Sequence, residues 1–310
     1  MKHWDAEAIR AGLSYPACID AMREALRLTH DGAMAQPPRQ ITAFPDDAGM
    51  AFMPGALRGS PWIGAKAVLR LPAKEPGGRH RKAGVFMLFN AERAELVATF
   101  DANELTLRRT AATTVAATQA LARPGPRLVG LLGTGQLAAA HLEAFATQAD
   151  TQGFVLWGRS RDSAHRLAEA FGGSQPVTVM EHAADVAARA DVLCTVSSAS
   201  QPILDGAALR PGQHVNLVGS STAIDHEVDA SVATRGPVFV DDLEAARANA
   251  AELRAAVESG RFQWRDIAGT LGAVLAGEHP GRRSADDITI FKSLGLFAED
   301  VLAARVLVGG

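Results

Sequence analysis

Apolar positions in the first third of the chain come in short runs that are typical of β-strands. Between residues 41 and 100, the segments "MAFMPG", "WIGAKAVLRL", "GVFMLFN" and "ELVATF" are separated by stretches rich in Gly, Pro and Asp. This pattern predicts a small, mostly antiparallel sheet. Ahead of it a helix is predicted to begin near Ser14, because Ile19, Met22 and Leu26 form one apolar stripe.

The pattern of hydrophobic positions changes after Arg127, where strand-like and helix-like segments alternate. Six segments up to about Asp242 are rich in Val and Leu: "RLVGLLG", "FVLWG", "PVTVM", "DVLCTV", "HVNLVG" and "PVFVDD". The spacing leaves room for crossover helices and predicts a parallel, doubly wound sheet buried on both faces. An alanine-rich helix that stops at Pro124 precedes them, and the boundary between two units is expected within or just after it. The C-terminal "SADDITIFKSLGLFAEDVLAARVLV" is predicted to form one more helix.

A glycine turn stands at the start of the alternating part. In "LVGLLGTGQLA" an apolar strand meets Gly133-Thr134-Gly135, and the residues that follow have helical composition. Gly133 permits a sharp turn, Gly135 lets the backbone approach a pyrophosphate, and a small residue follows at the close-packing position. The first helical amides, from Gln136 and Leu137 onward, then face the phosphates. The context of strand, turn and helix indicates a dinucleotide-binding turn rather than a simple connection.

The end of the next strand distinguishes NAD from NADP. An NAD enzyme places a carboxylate there against the ribose 2'-hydroxyl, whereas this chain has Gly158-Arg159-Ser160-Arg161. Two guanidiniums and a hydroxyl suit a 2'-phosphate, and each charge-assisted hydrogen bond contributes about 1.5 to 3 kcal/mol. The sequence therefore favours NADP(H) over NAD(H). The alternative, arginines that are merely solvated at a helix start, fits Arg161 better than Arg159.

Composition and charge narrow the classes of function. The 310 residues are 47% hydrophobic and 21% charged, as in a folded enzyme of two units. A formal charge of -3 gives no attraction for nucleic acid or anionic lipid, so neither is expected as a partner. Cys18 and Cys194 form no CxxC pair and the histidines form no metal-binding motif, so no metal is expected. Without a signal peptide or a membrane-length apolar stretch, the protein is expected in the cytoplasm.

Four segments, in their order and spacing, resemble the ornithine cyclodeaminase and mu-crystallin family: "ELTLRRTAATTVAATQALARP", "LLGTGQLAAAHLEAF", "LRPGQHVNLVGSS" and "ITIFKSLGLFAEDVLAA". The likeness spans nearly the whole chain. It implies an α/β fold in which a Rossmann domain that binds NADP, residues 113–285, is inserted into a smaller α+β domain. Residues 1–112 and 286–310 would form that smaller domain, which would bind substrate and form a homodimer.

The resemblance also implies the residues of the site. Family substrates are small α-amino or α-imino carboxylates, and the basic residues that bind the carboxylate match Arg39 in "QPPRQ", Lys66 in "IGAKAV" and Arg109 in "RTAA". Independently, a carboxylate removed from water needs cationic donors. Lys66 and Arg109 are expected to take part in catalysis, although a surface salt bridge would explain any one of the three alone. The expected cofactor-binding residues are Thr110, Gly133, Thr134, Gly135, Gln136, Leu137, Arg159, Ser160, Arg161, Lys292 and Ser293.

One position separates the cyclodeaminases of this family from the reductases. Cyclodeaminases resemble one another in an aspartate just after the "VG" of the fifth strand, which serves as acid and base, and the matching residue in "NLVGSSTAIDHEVD" is Ser221. A serine hydroxyl cannot perform that proton chemistry near neutral pH, so Ser221 is expected to be a hydrogen-bonding residue of the substrate pocket. Asp225 and Glu227 are expected to cap or flank the following segment. A second departure, Arg81-Lys82 where many members have a small hydroxylic residue, implies a different substrate pocket.

These features together predict an NADPH-dependent ketimine reductase. Its substrate would be a cyclic imino acid, Δ1-pyrroline-2-carboxylate or Δ1-piperideine-2-carboxylate, and its product L-proline or L-pipecolate. Arg39, Lys66 and Arg109 would hold the carboxylate while the imine carbon accepts a hydride, and Lys66 or bound water would supply the proton. The alternatives are an amino-acid dehydrogenase of the alanine type, an ornithine cyclodeaminase, and a non-enzymatic NADPH- or ligand-binding protein of the crystallin kind.

Overall fold

Two compact units make up the chain. The structure, a computed structural model, describes residues 1–37, 39–72, 81–220 and 226–309. The first unit comprises Met1–Arg109 and Leu296–Gly310, and the second comprises Thr110–Gly295. A unit built on a parallel sheet is therefore inserted into a mixed α+β unit, which confirms the predicted fold class. The roles that the sequence assigned to the two domains stay predictions.

A seven-stranded sheet and its helices form the first unit. Its strand order is β1-β7-β6-β5-β4-β2 with β3 also paired to β4, and the described pairs are antiparallel except β1 with β7. The strands are β1 (Lys2–Trp4), β2 (Met34–Ala35), β3 (Gln40–Ala43), β4 (Gly49–Leu57), β5 (Trp62–Leu71), β6 (Arg81–Asn90) and β7 (Glu95–Asp101). The helices are α1 (Ala6–Gly12), α2 (Tyr15–His30), the first part of α3 (Ala102–Leu121) and the C-terminal α10 (Phe297–Val308).

The predicted amphipathic helix is α2. The Ser14 hydroxyl caps it by accepting a hydrogen bond from Ala17 N at 3.4 Å, and a proline lies in its first turn. Its apolar stripe of Ile19, Met22 and Leu26 is buried, and the helix packs against α10. Burial of each such side chain stabilises the fold by about 1.5 to 3 kcal/mol, so this stripe fixes the helical layer of the unit.

An eight-stranded sheet forms the second unit, and its described strand pairs are all parallel. The strands are β8 (Arg127–Leu132), β9 (Thr151–Trp157), β10 (Val177–Val179), β11 (Val192–Thr195), β12 (His214–Leu217), β13 (Val238–Val240), β14 (Ile267–Thr270) and β15 (Thr289–Lys292). The helices are the rest of α3, then α4 (Gln136–Ala146), α5 (Arg161–Ala170), α6 (Ala183–Arg189), α7 (Leu243–Asn249), α8 (Ala251–Glu258) and α9 (Leu271–Leu275).

The strand order of this sheet, β10-β9-β8-β11-β12-β15-β13-β14, makes it doubly wound. From β8 the chain first builds outward through β9 and β10, then returns to build the other side from β11. Ligands of such sheets bind beyond the carboxyl ends of the strands where the order reverses, which is here the end of β8. No helix within the described ranges has the length and apolar character that a membrane crossing requires.

The C-terminal segment differs from the single helix that the sequence predicted. Thr289–Lys292 forms β15 between β12 and β13, all four of its residues are buried, and α10 begins only at Phe297. Between them Gly295 has a φ of +80°, which a helix cannot contain. The prediction was wrong because an interior parallel strand is buried on both faces, so its apolar run has no period that separates it from a buried helix.

Candidate functional site

A buried cluster of charged side chains lies in the first unit. Lys66 on β5 and Arg109 on α3 face Glu299 and Asp300 on α10, and each of the four side chains is at most 8% exposed. Lys66 Nζ lies 2.5 Å from Asp300 Oδ2, and Arg109 Nε donates to Asp300 Oδ1 at 3.1 Å. Arg109 Nη1 donates to Glu299 Oε2 at 2.7 Å. Charges are costly to bury without partners, so a buried network of paired charges is a candidate functional site.

Two glycines let α10 approach the sheet closely enough to form this cluster. The strand register places Lys66 opposite residues of β4 and β6 on the face that α10 covers. A Cβ atom on Gly55 would lie 2.5 Å from the Phe297 ring, and one on Gly64 would lie 3.3 Å from it. A larger residue at position 55 would push Phe297 and the start of α10 outward, and with it Asp300, about one turn further along the helix. At position 64 it would first meet the Met87 carbonyl oxygen and the Phe86 ring, both at 2.8 Å.

Attraction between opposite charges in the cluster offsets part of the free-energy cost of burying each charged side chain. Burial lowers the pKa of the Lys66 ammonium, and Asp300 works against that shift. Burial alone would raise the pKa of Asp300, but Lys66 and Arg109 outweigh it and hold that pKa below its ordinary value. Loss of hydration and the charge of Arg109 lower the pKa of Arg39, although part of its surface stays exposed. The charge of Arg39 in turn lowers the pKa of Lys66, so Arg39 lies near the cluster, although Arg39 is exposed and Lys66 and Arg109 are buried.

The structure thus brings Arg39, Lys66 and Arg109 together, as a carboxylate site would require. It adds Glu299 and Asp300, which the sequence argument missed. The available signal was a pair of adjacent acids inside the apolar "LFAEDVLAA", since acids in a buried helix need cationic partners. Ser221 and Asp225 lie outside the described residues, as does Pro38 next to Arg39.

Arg81 and Lys82, the second departure from the family pattern, begin β6. Both are exposed, and their strand partners on β5 are Leu71 and Arg70. Arg81 Nε donates to the Pro72 carbonyl at 3.4 Å. These contacts are local to the strand ends.

The glycine turn of the second unit is closely packed. Gly133 has a φ of +140°, and a Cβ atom there would lie 2.6 Å from the Val196 carbonyl oxygen. Its amide donates to the Trp157 carbonyl at 2.9 Å. A Cβ atom on Gly158 would lie 2.3 Å from the Thr134 side chain. Glycine is required here because the ends of three strands meet around the turn.

Helix α4 begins at this turn with its first amides available. Gly135 is the N-cap residue and offers no side chain to accept from them, and Ala139 N is the first amide bonded back to Gly135 O, at 3.1 Å. The amides of Gln136 and Leu137 therefore have no partner within the helix. Uncapped amides at the end of β8 fit the pyrophosphate of a dinucleotide, which adds the attraction of the helix dipole.

The arginine segment follows β9 and adjoins an open pocket of about 510 Å³. Arg159 is exposed and lines this pocket. Ser160 caps α5 by accepting from Ser163 N at 3.3 Å, whereas Arg161 Nη1 lies 2.9 Å from Glu181 Oε1. Both partners of that ion pair are 65% exposed, so the pair contributes little to stability, about 0 to 1 kcal/mol. The pair is weak, but it gives Arg161 an acidic partner, and no ion pair of Arg159 is found among the described residues. Arg159 is the better suited of the two to meet a ligand phosphate.

The three remaining predicted cofactor residues are buried. The Lys292 side chain is 0% exposed, donates to the Ser220 carbonyl at 2.5 Å and lies 3.2 Å from Glu252 Oε1. Ser293 N donates to the Leu217 carbonyl at 3.0 Å. The Thr110 carbonyl accepts from the Thr114 hydroxyl at 3.0 Å. Their contacts shown here lie inside the second unit, and their part in cofactor binding stays a prediction.

Glu227 holds the carboxyl ends of β11 and β12 together. Its carboxylate accepts from the Thr195 hydroxyl, the Ser197 amide and hydroxyl, and the Gly219 amide, at 2.6 to 2.8 Å. Burial raises the pKa of this carboxyl, and those hydrogen bonds oppose the shift. The Glu227 carboxylate thus bonds to residues that precede it in the chain. The prediction was that Glu227 caps or flanks the following segment, and these bonds are not those of a cap. No local pattern in "DHEVD" distinguishes it from a surface acid.

Two buried histidines serve the packing of the second unit. His141 Nδ1 lies 2.7 Å from the Leu137 carbonyl and its Nε2 3.0 Å from the Thr114 hydroxyl. Burial lowers the pKa of His141 to about 4 and that of His214 to about 3, so both rings are neutral at physiological pH. Among the described residues, no group of three His, Cys, Asp or Glu side chains could hold a metal ion.

Comparison with known proteins identifies the family of the chain. The model of the ornithine cyclodeaminase/mu-crystallin family matches residues 4–308. The chain belongs to this family. A Delta(1)-pyrroline-2-carboxylate reductase of Bacillus cereus is 31% identical over 277 residues, which are 87% of this chain and 84% of the relative. The ketimine reductase mu-crystallin of Mus musculus is 31% identical over 278 residues, 89% and 85% of the two chains.

A solved structure shares the whole fold. It is that of Thermococcus litoralis Delta(1)-pyrroline-2-carboxylate reductase in complex with NADH and L-proline, and it matches with a TM-score of 0.93 at 23% identity. The match covers 100% of this chain and 97% of the other. This match supports the fold, while the family predicted from the sequence is confirmed by the family model over residues 4–308 and by the two relatives at 31% identity.

Proposed function

We propose that this protein catalyses the NADPH-dependent reduction of a cyclic ketimine, Δ1-pyrroline-2-carboxylate or Δ1-piperideine-2-carboxylate, to L-proline or L-pipecolate. Relatives named as pyrroline-2-carboxylate and ketimine reductases support the general class, an NAD(P)H-dependent oxidoreductase that acts on C=N bonds. The observation that carries the proposal is the buried cluster in which Lys66 and Arg109 are organised by Asp300, with Arg39 nearby.

The charges of this cluster suit one carboxylate. Arg39, Lys66 and Arg109 contribute three positive charges, and Glu299 and Asp300 contribute two negative ones. The positive charges exceed the negative ones, and a buried charge is stable only when it is paired, so the set favours a bound anion. Arginine binds a carboxylate with directional hydrogen bonds, which fixes the imine carbon in one orientation. A small monocarboxylate is therefore the class of ligand that the cluster favours.

The second unit supplies the place for a nicotinamide cofactor. Gly133 and Gly135 allow the backbone to approach the pyrophosphate, and the amides of Gln136 and Leu137 bind it. A bound nicotinamide supplies the hydride that the imine carbon accepts. The imine nitrogen must gain a proton in the same reaction, and Lys66 or bound water gives it.

The preference for NADPH rests on Arg159. It lines the pocket after β9, where the 2'-phosphate of NADP would lie, and it is exposed. Arg161 is paired with Glu181, so its charge is already balanced. One available guanidinium in place of the carboxylate that NAD enzymes carry supports NADP(H) over NAD(H).

A homodimer is supported by an apolar face of the first-unit sheet. The register between β4, β5 and β6 puts Met50, Phe52, Ile63, Val85 and Met87 on the face opposite to Lys66. Met50, Phe52 and Ile63 are 40%, 37% and 42% exposed. Adjacent large apolar side chains that stay in water are typical of an interface, and a second copy of the chain would bring the same face.

A substrate panel tests the proposed function. NADPH absorbance is followed with each cyclic imino acid, with pyruvate plus ammonia, and with ornithine. We expect rapid oxidation of NADPH with at least one imino acid. Faster oxidation with pyruvate plus ammonia would indicate the amino-acid dehydrogenase instead. Conversion of ornithine to proline and ammonia with catalytic NAD would indicate the cyclodeaminase, and tight NADPH binding without turnover the crystallin-like alternative.

A further inference from the structure

Asp300 joins two of the basic residues assigned to the substrate. Its Oδ2 lies 2.5 Å from Lys66 Nζ, its Oδ1 accepts from Arg109 Nε at 3.1 Å, and its side chain is only 4% exposed. A carboxylate that binds two cations through its two oxygens fixes both of them, because neither can turn away without giving up a buried charge-assisted hydrogen bond. The position of the Lys66 ammonium is thus set from α10.

Asp300 also favours the protonated form of Lys66. Burial lowers the pKa of the ammonium most, and the nearby charges of Arg109 and Arg39 lower it further. Asp300 raises it, through its charge and through the hydrogen bond. Among the residues that the structure describes, the titratable and charged groups that act on Lys66 or on its neighbours in the cluster are Cys18, Arg39, Arg108, Arg109, Glu299 and Asp300.

We infer that Asp300 is a positioning residue that holds the Lys66 ammonium as the proton donor to the imine nitrogen. The inference rests on the proposed function. Lys66 Nζ gives one proton to the imine nitrogen while the imine carbon accepts a hydride from the reduced nicotinamide, which is oxidised. The C=N π bond is replaced by one N–H and one C–H bond. The neutral Lys66 amine then takes up a proton from water, and Asp300 stays ionised throughout.

The variant D300N tests the inference by kinetics. We expect kcat for the imine to fall by up to about 100-fold, because displacement of a reacting group by about 1 Å has an effect of that size. Asp300 raises the pKa of Lys66, so its loss lowers that pKa. The fall of kcat/KM on the alkaline side should therefore begin at a lower pH in D300N. The KM for NADPH should not change, since the glycine turn lies in the second unit.

Nuclear magnetic resonance measures the effect of Asp300 on the pKa of Lys66 without any turnover. The chain has five lysines, Lys2, Lys66, Lys74, Lys82 and Lys292, so [13Cε]lysine labelling gives a simple spectrum in which K66M identifies the Lys66 signal. In D300N that signal should titrate at a lower pH than in the wild type, because the opposite charge that favours the ammonium is gone. The matched control is E299Q, which removes a buried carboxylate from the same helix but one that binds Arg109. Its Lys66 signal should move less.

Three outcomes would overturn the inference: an unchanged Lys66 titration in D300N, an equal shift in E299Q, or an unchanged alkaline limb of kcat/KM. If D300N does not fold, D300E is used, which keeps the charge and displaces it by one methylene. D300E keeps the charge that opposes the lowering of the Lys66 pKa, so it should titrate like the wild type and lose kcat. Wild-type kcat in D300E would refute the positioning role. A wild-type protein that reduces no imine refutes the proposed function, while the titration still decides whether Asp300 holds Lys66.

Discussion

At the scale of single residues, cofactor preference is assigned to one arginine. Replacement of Arg159 by alanine should weaken NADPH binding roughly 10- to 150-fold, the equivalent of about 1.5 to 3 kcal/mol for a lost charge-assisted hydrogen bond. NADH binding should change little, because NADH has no 2'-phosphate. Isothermal titration of both dinucleotides against both proteins measures the difference.

Arg161 provides the matched control for this prediction. R161A removes the same charge two residues away, from a side chain that is already paired with Glu181 at 2.9 Å. It should reduce NADPH affinity much less than R159A does. Equal losses of NADPH and NADH affinity in R159A would show that Arg159 does not bind the phosphate.

Sequence alone predicted the basic residues that the structure brings together, but not the acids that contact two of them. Arg39, Lys66 and Arg109 stand in motifs for which the family likeness implies a role, and that role stays a prediction. Asp300 and Glu299 stand in an apolar helix, where local pattern predicts only the helix, and their contacts come from residues about 190 or more positions away. Such partners follow from tertiary packing, here from the close approach of α10 to the sheet.

Among the secondary-structure elements, the turn between β8 and α4 contains two glycines with different predicted roles, Gly133 in folding stability and Gly135 in cofactor binding. Gly133 has a φ of +140° and faces the Val196 carbonyl, so G133A should lower the free energy of unfolding by about 1 to 3 kcal/mol. Gly135 has a φ of -88°, which alanine adopts without strain. G135A should keep wild-type stability and raise the Kd for NADPH roughly tenfold or more, because its Cβ would stand where the pyrophosphate approaches.

Urea unfolding and NADPH titration of the two variants check this pair of predictions. Wild-type stability in G133A would mean that the turn relaxes without cost. Wild-type NADPH affinity in G135A would mean that the dinucleotide does not lie against this turn, and the proposed place for the cofactor would be lost.

The elements themselves were predictable where their pattern has a clear period or clear boundaries. All six strand segments after Arg127 form parallel strands, and the four segments between residues 41 and 100 form antiparallel ones. The strands β1, β2, β3, β14 and β15 were missed. Each is two to four residues long, and β15 carries the apolar character of a buried helix. Short strands are chosen by the neighbours that complete their hydrogen bonds, which local sequence does not contain.

For the whole molecule, we expect a dimer that forms through the apolar face of the first-unit sheet. F52K and I63K place a charge in the centre of that face and should convert a particle of twice the 32.5 kDa chain mass into a monomer. Analytical ultracentrifugation measures the mass. The matched control is I41K, which changes a 70% exposed isoleucine that β3 places on the opposite face.

A wild-type protein that sediments as a monomer would contradict the dimer. A dimer that persists in F52K and I63K, or one that dissociates equally in I41K, would contradict the assignment of this face.

Sequence predicted the fold class because the change from antiparallel to alternating patterns is a property of long segments. The sequence did not predict the apolar face of the first-unit sheet, because only the strand register shows which apolar residues of β4, β5 and β6 lie side by side.

The most direct test of the central claim follows the hydride itself. NADPH carrying deuterium at C4 of the nicotinamide, prepared separately as each stereoisomer, is incubated with the protein and Δ1-pyrroline-2-carboxylate, and the product is analysed by mass spectrometry and proton NMR. We predict L-proline with one deuterium at Cα from one stereoisomer and none from the other. Proline without deuterium from either stereoisomer, or no proline at all, would contradict hydride transfer to an imine carbon.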